Sequence, residues 1–512
     1  MKRDGANESL WQSDMPDFIP ALCSDTDQVF DVIVVGGGVT GVTTALELQK
    51  AGQKVLIAEA RSLCFGTTGG TTAHLNNFFD KSYAEIAKDF GKEGAQQMAK
   101  AAQDALALYK QNIISHQIDC EYHLGNGVLF ANTQKEVDEI DQIFEATKEA
   151  GIPVERVESI PLNAPFVKAI AYPGQGQIHP VKYVYALAKV FESLGGVILE
   201  SCRINQVESG EVLEVHSSQV VLKCRKLIYA THIPPGINLL HMRCAPYRTY
   251  VLGIELEGDS YPESPAYDML DPYHYYRTHI SGDKKWLIAG GEDHKTGHEE
   301  NTETPFLRLE EFLRKIFKIK KVSFKWSSQY FEPADGLAYI GHLPAADKNI
   351  FVATGFGGNG MTYSHIAANY FKSLFTENKI LYNEILSPTR IKPFAGFSAF
   401  VKENVDVIGS LVGDRFHIPS LDSLRAIPND QGELVKFDHH SLAIYKDTKG
   451  QITSLRPVCT HLGCNVKWNQ TEKSWDCPCH GARYDIQGDV LTGPSTKGLE
   501  KLFPEVLQNS NV

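Results

Sequence analysis

The chain has 512 residues, 43% hydrophobic and 22% charged, enough for two or three domains that each bury a core. A net charge of −12 argues against a nucleic-acid or anionic-membrane surface and leaves room for a cationic substrate or a basic redox partner. No stretch approaches 18 consecutive apolar residues, so no membrane span is expected. Residues 1–30, with Asp4, Glu8, Asp14, Asp17, Asp25 and Asp27, read as a polar N-terminal arm. The arm lacks the basic start and apolar core of a secretory signal, so the expected location is cytoplasmic.

The first strong pattern runs from Asp31 to Glu59. Val32–Val35 is a β-branched run that reads as a buried strand. Gly36-Gly37-Gly38-Val39-Thr40-Gly41 follows, then a helical stretch and a second strand, Lys54–Ala58, ending at Glu59. Each part suits a dinucleotide site. Gly36 makes the tight turn, Gly38 lets backbone approach a pyrophosphate, and Gly41 lets the helix pack on the strand. The helix N-terminus offers free N–H groups to phosphates. Glu59, 18 residues beyond Gly41, is placed to bind ribose hydroxyls. The Gly/Thr-rich loop Arg61–His74 comes next, with Thr67, Thr68 and Thr72 as small hydroxyls for a phosphate or a ring edge.

Residues 81–115 and 134–150 are helical in pattern, and a helix over Val181–Leu194 follows His179-Pro180. Strands are predicted at Gly127–Ala131, Ala169–Tyr172, Val197–Ser201, Val212–His216, Val220–Lys223 and Lys226–Tyr229. The last runs into Ala230-Thr231-His232, a turn of the kind that returns a chain to its nucleotide. From Tyr247 to Asp293 the pattern becomes alternating, with Tyr250, Leu252, Ile254 and Leu256 on one face, as in an antiparallel sheet. A helix is predicted over Pro305–Ile319 and a strand over Ile350–Ala353. A second glycine loop follows, Gly355-Phe356-Gly357-Gly358-Asn359-Gly360-Met361-Thr362, with a helix over Tyr363–Phe375.

This layout resembles the flavin amine oxidoreductases of the D-amino-acid oxidase, glycine oxidase and sarcosine oxidase group, over about residues 30–378. The resemblance implies an α/β, Rossmann-like FAD domain with an inserted antiparallel substrate domain. It assigns Gly36, Gly38, Gly41, Glu59 and Arg61 to the ADP half of FAD, and Thr67, Thr68 and Thr72 to the pyrophosphate or ring. Gly355, Gly357, Gly358, Gly360, Met361 and Thr362 would line the isoalloxazine. Two separated glycine loops favour FAD over NAD. Some relatives attach FAD through a histidine in a similar loop, which makes His74 a candidate for covalent attachment.

Six of the ten cysteines are scattered over the first half, as ordinary reduced thiols. The other four, Cys459, Cys464, Cys477 and Cys479, fall within 21 residues. Leu381–His417 reads as a linker, and a small all-β module begins near Pro419. It carries Cys459-Thr460-His461-Leu462-Gly463-Cys464 and Cys477-Pro478-Cys479-His480-Gly481. Cys-x-His and Cys-x-x-His on two loops match a Rieske [2Fe–2S] set, in which one iron takes two thiolates and the other two imidazoles. A Cys2His2 zinc site is the alternative. The module resembles Rieske domains over residues 420–505, which implies Cys459, His461, Cys477 and His480 as ligands and Cys464–Cys479 as a disulfide. High-potential Rieske centres have a serine where Ala482 stands and a tyrosine at Tyr484; one sulfur donor is therefore expected to be missing, with an intermediate potential.

Asp271, His274 and His279 fit D-x-x-H-x-x-x-x-H, the spacing of a mononuclear iron site. In a strand, side chains five apart point to opposite faces, so the two histidines are not expected to share a metal.

The expected organisation is an N-terminal arm (1–30), an FAD oxidoreductase (31–380, nucleotide segments near 31–80, 175–235 and 330–380), a linker (381–418) and a Rieske domain (419–508). The expected function is dehydrogenation of an amine or N-substituted amino acid, with electrons passing through the [2Fe–2S] cluster to a separate acceptor. The alternatives are a reductase or monooxygenase fed through the cluster by an external donor, and a non-catalytic redox carrier or sensor. Arg277 is the candidate for a substrate carboxylate. Tyr250, with Tyr247 and Tyr275, is a candidate for the substrate pocket, and His461 or His480 for the edge where electrons leave.

Overall fold

The computed structural model describes residues 3–21, 26–390, 418, 426–437 and 440–502, so most of the expected linker lies outside the described residues. The nucleotide-binding half is built on a sheet whose spine runs Tyr339–His342, Ile350–Thr354, Val221–Tyr229, Val29–Val35, Val55–Ala58 and Val197–Leu199. Val29–Val35 lies inside, parallel to Val221–Tyr229 and Val55–Ala58. Its apolar run serves two cores: Val32 and Val34 join one cluster, Ile33 and Val35 the other. That is why the sequence there is continuously hydrophobic rather than alternating. Val35 is in register with both Tyr229 and Ala58, so those strands finish along one edge. Gly36, Glu59 and Ala230 all leave the sheet at that edge, and Gly355 leaves it after the neighbouring strand. Ligands of open parallel sheets sit there.

A nine-stranded sheet forms the second half. Cys244–Leu256 pairs antiparallel with both Ile319–Pro333 and Lys284–Lys295, and Tyr275–Ser281 follows next to the latter. The expected inward face is confirmed: Tyr250, Leu252, Ile254 and Leu256 share a core with Phe306, Leu309 and Leu313 of the helix Thr304–Ile316. Those helix positions recur every three to four residues, which lays one apolar stripe on the sheet.

The C-terminal module has two small sheets, Gln431–Phe437, His440–Lys446 and Ile452–Leu455, then Lys467–Asn469, Ser474–Asp476, Arg483–Asp485 and Val490–Thr492. Trp475 and Tyr484 are fully buried in its own core. The start of the N-terminal arm is interior, whereas residues 13–21 are mostly exposed. Arg3, Asp4, Ser9, Leu10, Trp11 and Gln12 are buried. Arg3 pairs with Glu472 at 3.0 Å, and Asp4 with Arg483 at 3.0 Å. Arg483 also meets Asp476 at 3.0 Å, and Arg248 of the second sheet approaches Asp476 at 3.4 Å. Three arginines and three carboxylates thus tie arm, sheet and C-terminal module together. No helix among the described residues is long and apolar enough to cross a membrane.

Candidate functional site

A cavity of about 330 Å³ opens along the strand edge. Gly36, Gly38, Glu59, Arg61, Thr67 and Thr68 line one end. Gly36 holds φ at +116°, and a Cβ there would lie 2.4 Å from the Ala230 carbonyl oxygen. Gly41 sits behind the wall, where a Cβ would collide with the Gly36 carbonyl oxygen, so its role is helix-to-strand packing. Glu59 accepts from Gly37 N (2.6 Å) and Arg61 N (2.8 Å), which fixes its carboxylate at the strand end. The Thr68 hydroxyl accepts from Val39 N at 3.0 Å, tying the threonine loop to the helix start. Arg61 and Arg203 both donate to the Val490 carbonyl at 2.9 Å.

The late loop closes the other end through Gly357, Gly358, Gly360, Met361 and Thr362, together with Thr72 and His74. Gly355 stands outside the cavity wall, packed against Cys244. His74 Nδ1 lies 3.2 Å from Thr72 Oγ1, while its Nε2 is buried with no hydrogen-bond partner. Burial and the nearby Arg277 push the His74 pKa down to about 3, so the ring is neutral. Facing the loop are Asp80, Tyr273, Tyr275, Asp293 and Tyr330. Asp293 accepts from the Tyr330 hydroxyl at 2.9 Å, and burial pushes its pKa up to about 6. Asp80 accepts from Gly358 N at 2.7 Å. Sequence reasoning missed Asp80, Asp293 and Tyr330, because they come from three unrelated segments with no shared spacing.

Arg277 and Tyr250, the two expected catalytic residues, do not reach this cavity. Arg277 is fully buried and donates to the carbonyls of Thr72 (2.8 Å), Ala73 (3.0 Å) and Ile178 (3.1 Å). It clamps the loop that carries His74. The Tyr250 hydroxyl lies 2.9 Å from His294 Nε2, inside the sheet-and-helix core. Tyr247 stacks on Tyr330 from outside the wall, whereas Tyr275 lines it. His274 pairs with Asp268 (3.0 Å) and His279 with Glu121 (3.1 Å), so they serve separate carboxylates, as strand geometry requires.

The C-terminal boxes fold alike. In each, a glycine in left-handed conformation, Gly463 (φ +84°) or Gly481 (φ +72°), donates its N–H to the carbonyl of the cysteine four residues earlier at 3.1 Å. Each box is also closed by a second bond, Cys459 N to Cys464 O and Cys477 N to Ala482 O, both 2.8 Å. These turns bring the buried thiols of Cys459 and Cys477 within hydrogen-bonding reach of each other. The His461 and His480 rings lie 4.9 Å apart, and both Nδ1 atoms are buried without a partner. Burial holds the two imidazoles neutral, at about 4 and about 3, as metal ligands must be. Cys464 and Cys479 form a disulfide across the two loops. Two thiols, two orphaned ring nitrogens and a bridged second cysteine pair fit a [2Fe–2S] cluster with mixed ligands. A zinc site leaves that disulfide unexplained.

Two findings revise the sequence reading of this centre. Ala482 offers no hydroxyl, yet Ser495 of the covering loop places its Oγ 3.6 Å from Cys459 Sγ and 2.6 Å from the Tyr484 hydroxyl. The Tyr484 hydroxyl itself lies 3.2 Å from Cys459 Sγ, so two hydroxyls share the sulfur. The histidine edge also turns partly inward, with His461 half-buried. His480 is buried, and both rings pack on His241 of the FAD-binding half, at 4.8 and 6.2 Å.

A flavin-type nucleotide cavity joined to a mixed-ligand iron–sulfur module defines the class. Residues 31–374 match the FAD dependent oxidoreductase (DAO) family, and residues 420–503 match the Rieske [2Fe-2S] domain. The chain belongs to the FAD dependent oxidoreductase family and carries a C-terminal Rieske domain; its cofactors are FAD and a [2Fe–2S] cluster. It is 32% identical, over 97% of its length and 98% of the relative's, to the Bacillus subtilis (strain 168) protein YhfW, named as a Rieske 2Fe-2S iron-sulfur protein. It is 25% identical to gamma-glutamylputrescine oxidoreductase of Escherichia coli (strain K12), over 67% of this chain and 83% of that one. Among solved structures, glycine oxidase from Geobacillus kaustophilus shares the fold with a TM-score of 0.60 and 17% identity, over 71% of this chain and 99% of that one.

Proposed function

We propose that the protein is a cytoplasmic dehydrogenase of an amine or N-substituted amino acid whose electrons leave through its own Rieske centre to a separate acceptor. Bound FAD supplies hydride acceptance from the carbon next to nitrogen, and the cluster supplies one-electron transfer. In this reading Gly36, Gly38, Glu59 and Arg61 hold the ADP half, Thr67, Thr68 and Thr72 the pyrophosphate or ring, and Gly357–Thr362 the isoalloxazine. Cys459, Cys477, His461 and His480 ligate the irons.

One observation carries the coupling. Ser495 lines the nucleotide cavity and at the same time sits 3.6 Å from Cys459 Sγ, so the two sites share a wall. Gly493 and Thr496 of the same loop, and Leu491 and Thr492 of the strand that leads into it, line the cavity too. The histidine side reinforces the link: His241 Nε2 bonds the Pro234 carbonyl at 2.8 Å, and Ile233 and Pro235 on either side face the cavity. The resemblance to an oxidoreductase named for an amine, gamma-glutamylputrescine, supports the substrate class.

The test is anaerobic mixing of the purified holoprotein with amines and N-substituted amino acids. Flavin bleaching followed by the visible and EPR signature of a reduced cluster is expected. Bleaching only with reduced ferredoxin or NADH would reverse the direction of flow. A response to dithionite alone would leave a carrier.

A further inference from the structure

The end of the cavity closed by the late glycine loop has an unbalanced charge. Asp80 and Asp293 line it, and Glu332 stands just behind. A Cβ on Gly357 would lie 2.9 Å from Glu332 Oε2 and 3.0 Å from Asp80 Oδ2, so these two carboxyl groups crowd the same glycine. Burial and the facing Asp80 hold Glu332 well above the usual carboxylate range. The neighbouring cation, Lys81, is committed to Asp89 and to the Asp335 carbonyl, at 2.5 and 2.9 Å.

Of the two acids lining this end, Asp80 is engaged by Gly358 N and Asp293 is the one ringed by tyrosines. Its Oδ2 takes the Tyr330 hydroxyl, and its Oδ1 is buried with no well-formed hydrogen bond, although Thr249 lies beside it. Tyr273, Tyr275 and Tyr330 stand around it as aromatic walls. The permanently cationic residues lining the cavity are Arg61 and Arg203, and both are spent on Val490 at the Glu59 end. Arg277 is spent on loop carbonyls behind the wall. A substrate carboxylate would therefore meet acids and no guanidinium, whereas an ammonium group would find a counter-ion and aromatic faces.

Resting on the dehydrogenase reading above, we propose that this end binds a substrate ammonium, with Asp293 as counter-ion and Tyr273, Tyr275 and Tyr330 as walls. The substrate is then an alkylamine cation with no carboxylate beside the reacting amine. α-Amino acids are excluded.

Two probes test this on the holoprotein at constant ionic strength. Tetramethylammonium chloride carries the charge but no nitrogen lone pair, so it cannot be dehydrogenated, and sodium propionate carries the opposite charge. Tetramethylammonium should perturb the flavin absorption saturably and raise the melting temperature, and propionate should do neither. Asp293→Asn should weaken tetramethylammonium binding at least tenfold. Tyr273→Leu, which keeps every charge, should weaken it several-fold and guards against a misfolded Asp293 variant. Propionate binding in place of the cation, or unchanged affinity in both variants, overturns the proposal. Anaerobic addition of butylamine and of glycine, sarcosine and proline separates this failure from that of the parent reading. Bleaching by the amino acids and not by butylamine sinks the ammonium site and keeps a dehydrogenase. Cation binding with no bleaching by any of them keeps the site and sinks the dehydrogenase.

Discussion

Ser495 and Asp293 are single side chains on which the proposed chemistry turns. Two hydroxyls and one sulfur have only two protons to share: if Tyr484 donates to Cys459, Ser495 donates either to that sulfur or back to the Tyr484 oxygen. Either way it stabilises negative charge on the ligand, and a reduced cluster is the more negative state. Ser495→Ala should lower the midpoint potential by on the order of 40 mV, the one-electron equivalent of about 1 kcal/mol of hydrogen bond. Ala482→Ser, which adds a hydroxyl beside the cluster, should raise it. Protein-film voltammetry reads both, and a fall in the second or no change in the first defeats the argument. Asp293 predicts a pH profile. It attracts a cation only when ionised, and its pKa is raised to about 6. Tetramethylammonium affinity should therefore hold above pH 6 and fall by up to tenfold per unit below it. Glu332 gives a stability counterpart with the opposite sense of charge. Its folded-state pKa lies above the ordinary 4.5, so the native state holds the proton longer than the unfolded chain. Stability contributed by that proton is complete below pH 4.5 and lost as pH rises through the raised value. Glu332→Gln should gain about 1 kcal/mol or more at pH 8 and nothing at pH 4, by urea unfolding.

At the scale of elements, what the sequence revealed depended on how locally each feature is encoded. Both glycine loops and both cysteine boxes were legible because their chemistry needs particular residues at fixed short spacings. Arg277 and Tyr250 lie off the cavity, and there is a physical reason why the sequence does not show this. Tyr275–Thr278 is buried at every position, as are residues 250–254, so alternation there gives no clue to which face meets the cavity. The N-terminal arm was the deepest surprise. Burial of Arg3 and Asp4 is invisible in a polar arm because their partners, Glu472 and Arg483, lie about 470 residues away. Arg3, Arg248 and Arg483 balance Asp4, Glu472 and Asp476, and each side chain is at most 4% exposed. Burying six charges is tolerable only while every one is paired. Arg483→Met leaves three buried carboxylates sharing two arginines and should cost about 3–5 kcal/mol of stability. Chemical denaturation followed by tryptophan fluorescence measures it, and a loss under about 1 kcal/mol would mean the network is wetter than its geometry implies.

For the whole molecule, that network decides whether the iron–sulfur module swings or stays. The module is held by the arm, by Gln329 donating to the Gly481 carbonyl at 2.9 Å, by Arg61 and Arg203 on Val490, and by Gly236 N on the Pro494 carbonyl. These contacts surround both the ligand loops and the covering loop. A swinging module would have to break several buried charge-assisted bonds on each cycle, and an uncompensated buried charge is costly. In the proposed direction of flow this makes a fixed relay, with the histidine edge turned toward the flavin half to receive electrons and the acceptor meeting another face. A fixed relay has a kinetic signature, because domain motions slow with solvent viscosity whereas tunnelling across a packed wall does not. The rate of cluster reduction after flavin bleaching should stay constant when glycerol raises viscosity severalfold. A rate falling in inverse proportion to viscosity would show that the module leaves its dock. Repeating the measurement in Arg483→Met then separates the causes: a viscosity dependence that appears only in the variant assigns the rigidity to the buried arginine–carboxylate network.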